Sequence, residues 1–195
     1  MHVYLIQATP EPMDMLGRIA GICYGKDDAS HRRVATCVKA GHTSVLEHAV
    51  ATWYVDGISR ACSHQLVRHR IASYTQQSQR YVVERENMPC ALPESIAADP
   101  AAFEVYDHAL TACDGAYHQL VGMGVRAEDA RYVLQNAVET KLFVTMNARA
   151  LFNFLDLRDD THAQWEIREL AQKMAQALAD SDAQWAELLA LRGEA

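Results

Sequence analysis

The chain has 195 residues, half of them apolar and 22% charged, with a formal net charge of −7. That is globular composition rather than disorder, and the length suffices to bury a real core. No apolar run approaches the roughly 18 residues of a membrane span, and the acidic balance works against nucleic-acid binding, which depends on clustered Lys and Arg. The opening Met1-His-Val-Tyr-Leu-Ile has no basic stretch before a long apolar one, so the expectation is a soluble, cytoplasmic protein without a secretory signal. Five cysteines, at positions 23, 37, 62, 90 and 113, form no C-x-x-C pair. An odd count without that pair argues against a disulfide framework and a zinc ribbon.

In chain order, residues 1–8 read as a short strand. Residues 13–24 and 28–39 read as helices, ended by Gly25 and Gly41. Residues 49–55 have strand character, closed by Gly57. The pattern then predicts a helix over 58–69, a strand over 78–83, and helices over 100–121 and 126–138. A further strand is expected over 141–146. Thr161-His-Ala-Gln164 has the form of a capping box, with Thr161 at the N-cap. Behind it Ile167, Leu170, Met174, Leu178, Trp185 and Leu188 form one apolar stripe along a long helix. The expected architecture is a single α+β domain over 1–195, a small antiparallel sheet packed with long helices.

One stretch breaks the acidic trend. From Arg60 to Arg85 there are five arginines and a single acid, Glu84. Arginine suits phosphate because its planar fork donates two parallel charge-assisted hydrogen bonds. If 58–69 is helical, Gln65, Arg68 and His69 share a stripe. If 78–83 is a strand, Ser78 and Arg80 share a face. Such an arrangement outlines a nucleotide-phosphate site, against the simpler reading of a solvated basic face.

The order of residues decides between them. Arg68-His-Arg-Ile-Ala-Ser-Tyr-Thr-Gln-Gln-Ser-Gln-Arg80 resembles the R-H-R-x-x-S-x-x-x-x-S-x-R motif of the flavin-dependent thymidylate synthases. Gly41-His-Thr-Ser-Val-Leu-Glu-His48 resembles that family's G-H-x-[ST]-x-x-E-H segment, and Glu128-Asp-Ala-Arg131 its E-x-A-R. Asn147-Ala-Arg-Ala-Leu-Phe-Asn-Phe-Leu-Asp-Leu-Arg158 is similar to N-A-R-x-x-x-N-F-x-x-x-R. These blocks cover about residues 41 to 166, in the family's order.

The resemblance implies the family's fold and a methylation of dUMP to dTMP. It implies FAD as cofactor, with NADPH and 5,10-methylenetetrahydrofolate as co-substrates and tetrahydrofolate as product. By the same match Gln65, Arg68, Gln76, Gln77, Ser78, Gln79, Arg80, Arg131 and Arg158 are expected to bind dUMP. Ser44, Glu47, Arg68, His69, Arg70, Asn147, Arg149 and Asn153 are expected to bind FAD. Arg158 is the candidate for activating the pyrimidine, and His42 for bordering the space where folate and NADPH take turns. Ser78 has a nucleophile's place in the motif but no general base at an obvious spacing, so binding suits it better. The family's site is shared between subunits of a homotetramer, which is therefore the expected assembly. Two departures stand out: Gln76 where some members carry glutamate, and Gln135 where a proline is common.

Other chemistries fit less well. Pro89-Cys90 is followed by Ala91, so the Pro-Cys-His setting of the cysteine-dependent synthases is missing. Gly122-Met-Gly124 lacks the third glycine of a dinucleotide fingerprint. Among the nine histidines, His64 and His69 are five apart and His42 and His48 six, so neither pair makes H-E-x-x-H, and no metal is expected. A catalytically silent FAD- or nucleotide-binding relative remains the alternative.

Overall fold

A computed structural model describes residues 1–84 and 87–193; Arg85, counted in the cationic stretch, lies outside them. In chain order the elements are β1 (His2–Ala8), α1 (Pro12–Ile22), α2 (His31–Lys39), a 3₁₀ turn (Thr43–His48), β2 (Val50–Ser59), α3 (Arg60–Leu66) and β3 (Ser73–Gln76). There follow α4 (Glu94–Ala97), α5 (Pro100–Gly122), α6 (Ala127–Ala130), a second 3₁₀ turn (Arg131–Val133), β4 (Glu139–Asn147), α7 (Ala148–Arg158), α8 (Trp165–Ala179) and α9 (Ala183–Ala190). The strands form one antiparallel sheet in the order β1-β2-β4-β3. The class is α+β, as expected. Contacts divide the chain into two compact units, Met1–Val55 with Leu66–Thr75 and Phe143–Ala195, and Asp56–Gln65 with Gln76–Leu142.

In the first unit β2 buries Ala51, Trp53 and Val55 on alternate positions, and β4 buries Val144 and Met146. This is the period-2 pattern of a sheet with one covered face. The covering helix is α8, whose Ile167, Leu170, Met174 and Leu178 are fully buried. The Trp53 indole donates to the Met174 carbonyl at 3.1 Å, so the largest core ring also satisfies its one polar atom. The other sheet face carries Tyr4, Tyr54 and Phe143 in a row, with ring centroids 6.1 and 5.2 Å apart. In the second unit Met88, Tyr117, Ala130 and Val138 form a smaller core.

Several boundaries differ from the sequence reading. The strand does not close at Gly57. That glycine takes φ +74 inside β2, which continues to Ser59. The helix expected over 58–69 therefore spans only Arg60–Leu66, and Arg68 and His69 lie beyond it. Residues 78–82 are a turn rather than a strand: Ser78 accepts through its carbonyl from Val82 N–H (3.1 Å) and through its hydroxyl from Arg80 N–H (3.2 Å). The strand of this region is Ser73–Gln76 instead.

The helix expected over 126–138 stops early because other partners claim its end: the Val138 and Asn136 carbonyls accept from the Arg60 and Ala61 N–H groups at the start of α3, and Val138 forms an isolated antiparallel bridge with Cys90. The cap of α8 is Gln164, whose amide oxygen accepts from Glu166 and Ile167 N–H, while Thr161 sits in the preceding turn. The long terminal helix is also two. Asp182 caps a new one, α9, and Trp185 and Leu188 continue the buried stripe on it.

In the first unit α9 is fastened by charge. His31 Nε2 meets Asp14 Oδ1 at 2.6 Å and its Nδ1 meets Glu187 Oε2 at 2.9 Å, joining α1, α2 and α9. The Asp14 bond first, then Glu187, raises the His31 proton affinity above its ordinary value of 6.5. A raised histidine stabilises the fold below its unfolded value and loses that contribution as pH rises through the folded one. His31→Gln should thus lower stability by roughly 0.5–1 kcal/mol at acidic pH, discounted for the clamp's partial exposure. The difference should shrink above the folded value in thermal melts, and a gap independent of pH would remove the ion clamp.

Candidate functional site

The first unit holds an open cleft of about 750 Å³, lined in part by Glu47, Arg68, His69, Arg70, Asn147, Arg149, Asn153 and Arg158. Its placement begins at the β4–α7 junction. Asn147 ends the strand and caps the helix, its side-chain oxygen accepting from Ala150 N–H at 2.8 Å. That cap sets the rotation of α7. Leu151, Phe154 and Leu155 are buried on one face, while Arg149, Asn153 and Leu157, at i, i+4 and i+8, line the cleft on the other. Facing residues come from the 67–72 loop, where the Tyr74 hydroxyl lies 2.9 Å from both the Leu66 and His69 carbonyls and shares its one hydrogen between them. Burial pushes the Tyr74 phenol up to about 12, so it stays a donor.

The cleft's charge is one-sided. Four guanidinium groups and one carboxylate give a net +3, and Glu47 is already paired with Arg149. Ile71, Met146 and Leu157 add apolar wall. Within the cluster the Arg158 Nε–H donates to His69 Nε2 at 2.9 Å. An imidazole nitrogen that accepts is unprotonated, so His69 is neutral with its hydrogen on Nδ1. Burial first, then the Arg158 charge, lowers the His69 proton affinity. Such a donor set suits a ligand that is anionic at one part and apolar at another.

The second unit carries a smaller pocket of about 300 Å³ bordered by Arg60, His64, Gln79, Arg131 and Gln135 among others. Arg60 Nε and Gln79 Nε2 are buried there without a partner among the described residues. Burial lowers the Arg60 guanidinium from its usual value, opposed by Glu84. Two orphaned donors and a second guanidinium, Arg131, call for an acceptor-rich or anionic ligand. Nearby in this unit Arg80 Nε donates to Glu128 (3.3 Å), which also pairs with Arg126. Arg131 Nε donates to the Glu128 carbonyl at 3.1 Å, tying down the E-x-A-R segment.

The sequence-predicted residues thus sort by unit. Of the flavin set, all but Ser44 line the cleft; Ser44 is exposed on the 3₁₀ turn and does not. His42 is likewise exposed, ahead of that turn, and outside the cleft lining. Of the nucleotide set, Arg68 and Arg158 belong to the first unit, and Gln65, Gln76, Gln77, Ser78, Gln79, Arg80 and Arg131 to the second. Gln79 and Arg131 line the second unit's pocket, and the others do not. Gln76 is committed inward, its amide nitrogen donating to Ser63 Oγ (3.0 Å) and Thr140 Oγ1 (3.2 Å). Ser78 Oγ accepts from Arg80 N–H in its own turn, with no base against it among the described residues. Arg60 went unassigned in the sequence, although it opens the cationic stretch, and burial of its Nε was the missing signal. Apolar Ile71, Met146 and Leu157 carry no chemical signature and were missed as well.

Comparison with known proteins adds an independent line. The family described as "Thymidylate synthase complementing protein" matches residues 4–182. A protein of Geobacter sulfurreducens named flavin-dependent thymidylate synthase is 50% identical over 186 residues, covering 89% of this chain and 80% of that protein. One of the same name from Pyrococcus furiosus is 48% identical, covering 96% of this chain and 85% of its own length.

Gln76 yields a test within the second unit. Ser63 Oγ already spends its hydrogen on the Arg60 carbonyl at 3.0 Å, so it can only accept from position 76. Gln76→Glu replaces the donor by a carboxylate facing that oxygen, and should cost about 1–3 kcal/mol in urea unfolding of the protein. A neutral result would mean that the amide is not held inward.

Proposed function

The chain belongs to the flavin-dependent thymidylate synthases, and from that premise we propose that it converts dUMP to dTMP with FAD as its redox cofactor. The observation that carries the assignment to a site is the cleft at the β4–α7 junction, with four arginines and apolar walls in one volume. Cationic forks match a diphosphate, and Ile71, Met146 and Leu157 suit an isoalloxazine or adenine ring, so the residues fit a flavin dinucleotide. We assign Glu47, Arg68, His69, Arg70, Asn147, Arg149 and Asn153 to holding it, with Ser44 an outer contact. A reduced flavin held by these residues would supply the hydride that completes the new methyl group. NADPH as reductant, 5,10-methylenetetrahydrofolate as carbon donor and tetrahydrofolate as product belong to the same proposal.

Making uracil C5 nucleophilic requires negative charge to build on N3 and O4. Arg158 is assigned to stabilise it, a fixed charge placed where charge develops. Its Nε is bonded to His69, which leaves the two terminal nitrogens and their four N–H groups for the nucleotide. Arg68, Gln65, Gln77, Ser78, Gln79, Arg80 and Arg131 are assigned to binding dUMP, while Gln76, expected among them from the sequence, is turned inward and is assigned to bracing Ser63 and Thr140. The orphaned donors Arg60 Nε and Gln79 Nε2 support a nucleotide contact at Gln79. His42 is assigned to the folate and NADPH side.

We further propose that the whole chain acts as one synthase domain, since the family match runs through both units. A homotetramer accounts for the exposed aromatic row on the first unit's sheet, where Tyr4 is 53% and Phe143 45% accessible. No helix among the described residues is long and apolar enough to cross a membrane. Five free cysteines suit a reducing compartment, and a cytoplasmic location is proposed on that ground.

The deciding assay is dTMP formation from dUMP and methylenetetrahydrofolate, with FAD and NADPH each present or omitted. Turnover should require both. Arg158→Ala should lower kcat by about 100- to 1,000-fold while the protein still binds FAD by its visible spectrum. Flavin binding without dTMP in the unaltered protein would favour a silent relative instead.

A further inference from the structure

His69 sits among cations yet is neutral, and its accepting nitrogen is spent on a single donor, the Arg158 Nε–H, at 2.9 Å. Nothing about flavin binding requires that bond. The ring is held on its other sides: Phe154 packs edge-on with centroids 4.9 Å apart, and the Tyr74 hydroxyl fixes the His69 carbonyl at 2.9 Å. Phe154 lies on α7, four residues before Arg158, so one helix supplies both the ring's packing and its hydrogen-bond donor. An arginine side chain left free at the end of a helix samples many rotamers. One whose Nε is bonded to a rigid acceptor presents its terminal nitrogens in one plane.

We propose that His69 is the positioning residue for Arg158, its neutral Nε2 holding the guanidinium so that the terminal nitrogens are pre-aimed at the nucleotide. This rests on Arg158 being the group that activates the pyrimidine. The orientation is set before substrate arrives, so its conformational cost is not met in the transition state. The arrangement also has a defined failure. If His69 gains a proton, both ring nitrogens become donors, and a cation then faces Arg158. The other charges around the ring are Arg68 and Arg70 beside it in the chain, and on the cleft wall Glu47, which Arg149 already neutralises. Three guanidinium groups resist protonation, in keeping with the lowered affinity caused by burial and Arg158. The bond therefore persists at neutral pH and breaks only below the ordinary histidine value of 6.5.

The test compares His69→Gln, which keeps an acceptor but cannot titrate, with His69→Phe, which keeps the ring packing but cannot accept. At saturating FAD and dUMP, His69→Phe should lose about 100-fold in kcat, with its flavin spectrum retained. His69→Gln should recover most of that loss, to within about tenfold of the parent. The parent should show an acid limb in kcat that the Gln variant lacks. A merely structural role would not separate the two variants in this way. In the ligand-free protein, histidine ring ¹⁵N shifts, assigned by their loss in His69→Gln, should report a bare Nε2 and a protonated Nδ1. Equal kcat in the parent and His69→Phe, equal losses in both variants, or a protonated Nε2 at neutral pH would each overturn the proposal. If Arg158→Ala is inactive while His69→Phe is not, only the His69 role falls. If Arg158→Ala turns over like the parent, the activating role falls and the positioning role with it.

Discussion

The cleft depends on one covalent handover, from strand to helix at Asn147. The strand alternates its side chains with period 2 and the helix turns with period 3.6, so a change of register there would re-aim every residue after it. Two hydrogen bonds pin it: Asn147 caps Ala150, and the Ala148 N–H donates to the Ala49 carbonyl at 2.8 Å. The second bond ties α7 to the chain just after the 3₁₀ turn that carries Glu47. With the start of α7 fixed at both points, Leu151, Phe154 and Leu155 can only enter the core. Arg149, Asn153 and Leu157 are then left to the cleft.

Electrostatics follow from that placement. A chain of net charge −7 gathers four arginines around one opening, where mutual repulsion has to be offset. Glu47 offsets part of it at Arg149. At Arg158 the offset is of another kind, because a neutral imidazole accepts a hydrogen bond without adding charge and leaves the cleft's net positive field for a ligand. Burial keeps that imidazole neutral, so the packing of Phe154 against His69 belongs to the chemistry of the cleft as much as to its shape. The second unit follows the opposite course. There Arg60 Nε and Gln79 Nε2 are buried without partners among the described residues, a cost that a bound acceptor would remove.

The C-terminal region supports the same helix from behind. Arg192 pairs with Asp159, the residue after Arg158, at 2.9 Å, and Gln172 of α8 donates to the same carboxylate at 3.0 Å. The far end of α7 is thereby tied to α8 and to the turn beyond α9. The His31 clamp holds α9 to the first two helices, so within one unit charge contacts brace α9 on one side and the end of α7 on the other.

By itself the sequence determined the family and the residue types of the site. Fixed spacings such as Arg68-His69-Arg70 and Asn147-x-Arg149 are covalent facts that survive any error in secondary structure. It determined the apolar stripe of α8 and α9, because burial follows hydrophobic periodicity even where Asp182 starts a new helix. It also indicated three of the strands, β1, β2 and β4, though not that β2 runs on through Gly57 to Ser59. What only tertiary structure decided were the ends of elements and the partners of polar groups. Residues 136–138 read as a helix end, yet the Asn136 and Val138 carbonyls accept from Ala61 and Arg60, a nonlocal pairing that outweighs local propensity, while residues 78–82 read as a strand yet close into a turn on the carbonyl and hydroxyl of Ser78. The inward commitment of Gln76, the burial of Arg60 and the neutrality of His69 likewise depend on residues far away in the chain. Protonation and burial are properties of surroundings, and no local spacing encodes them.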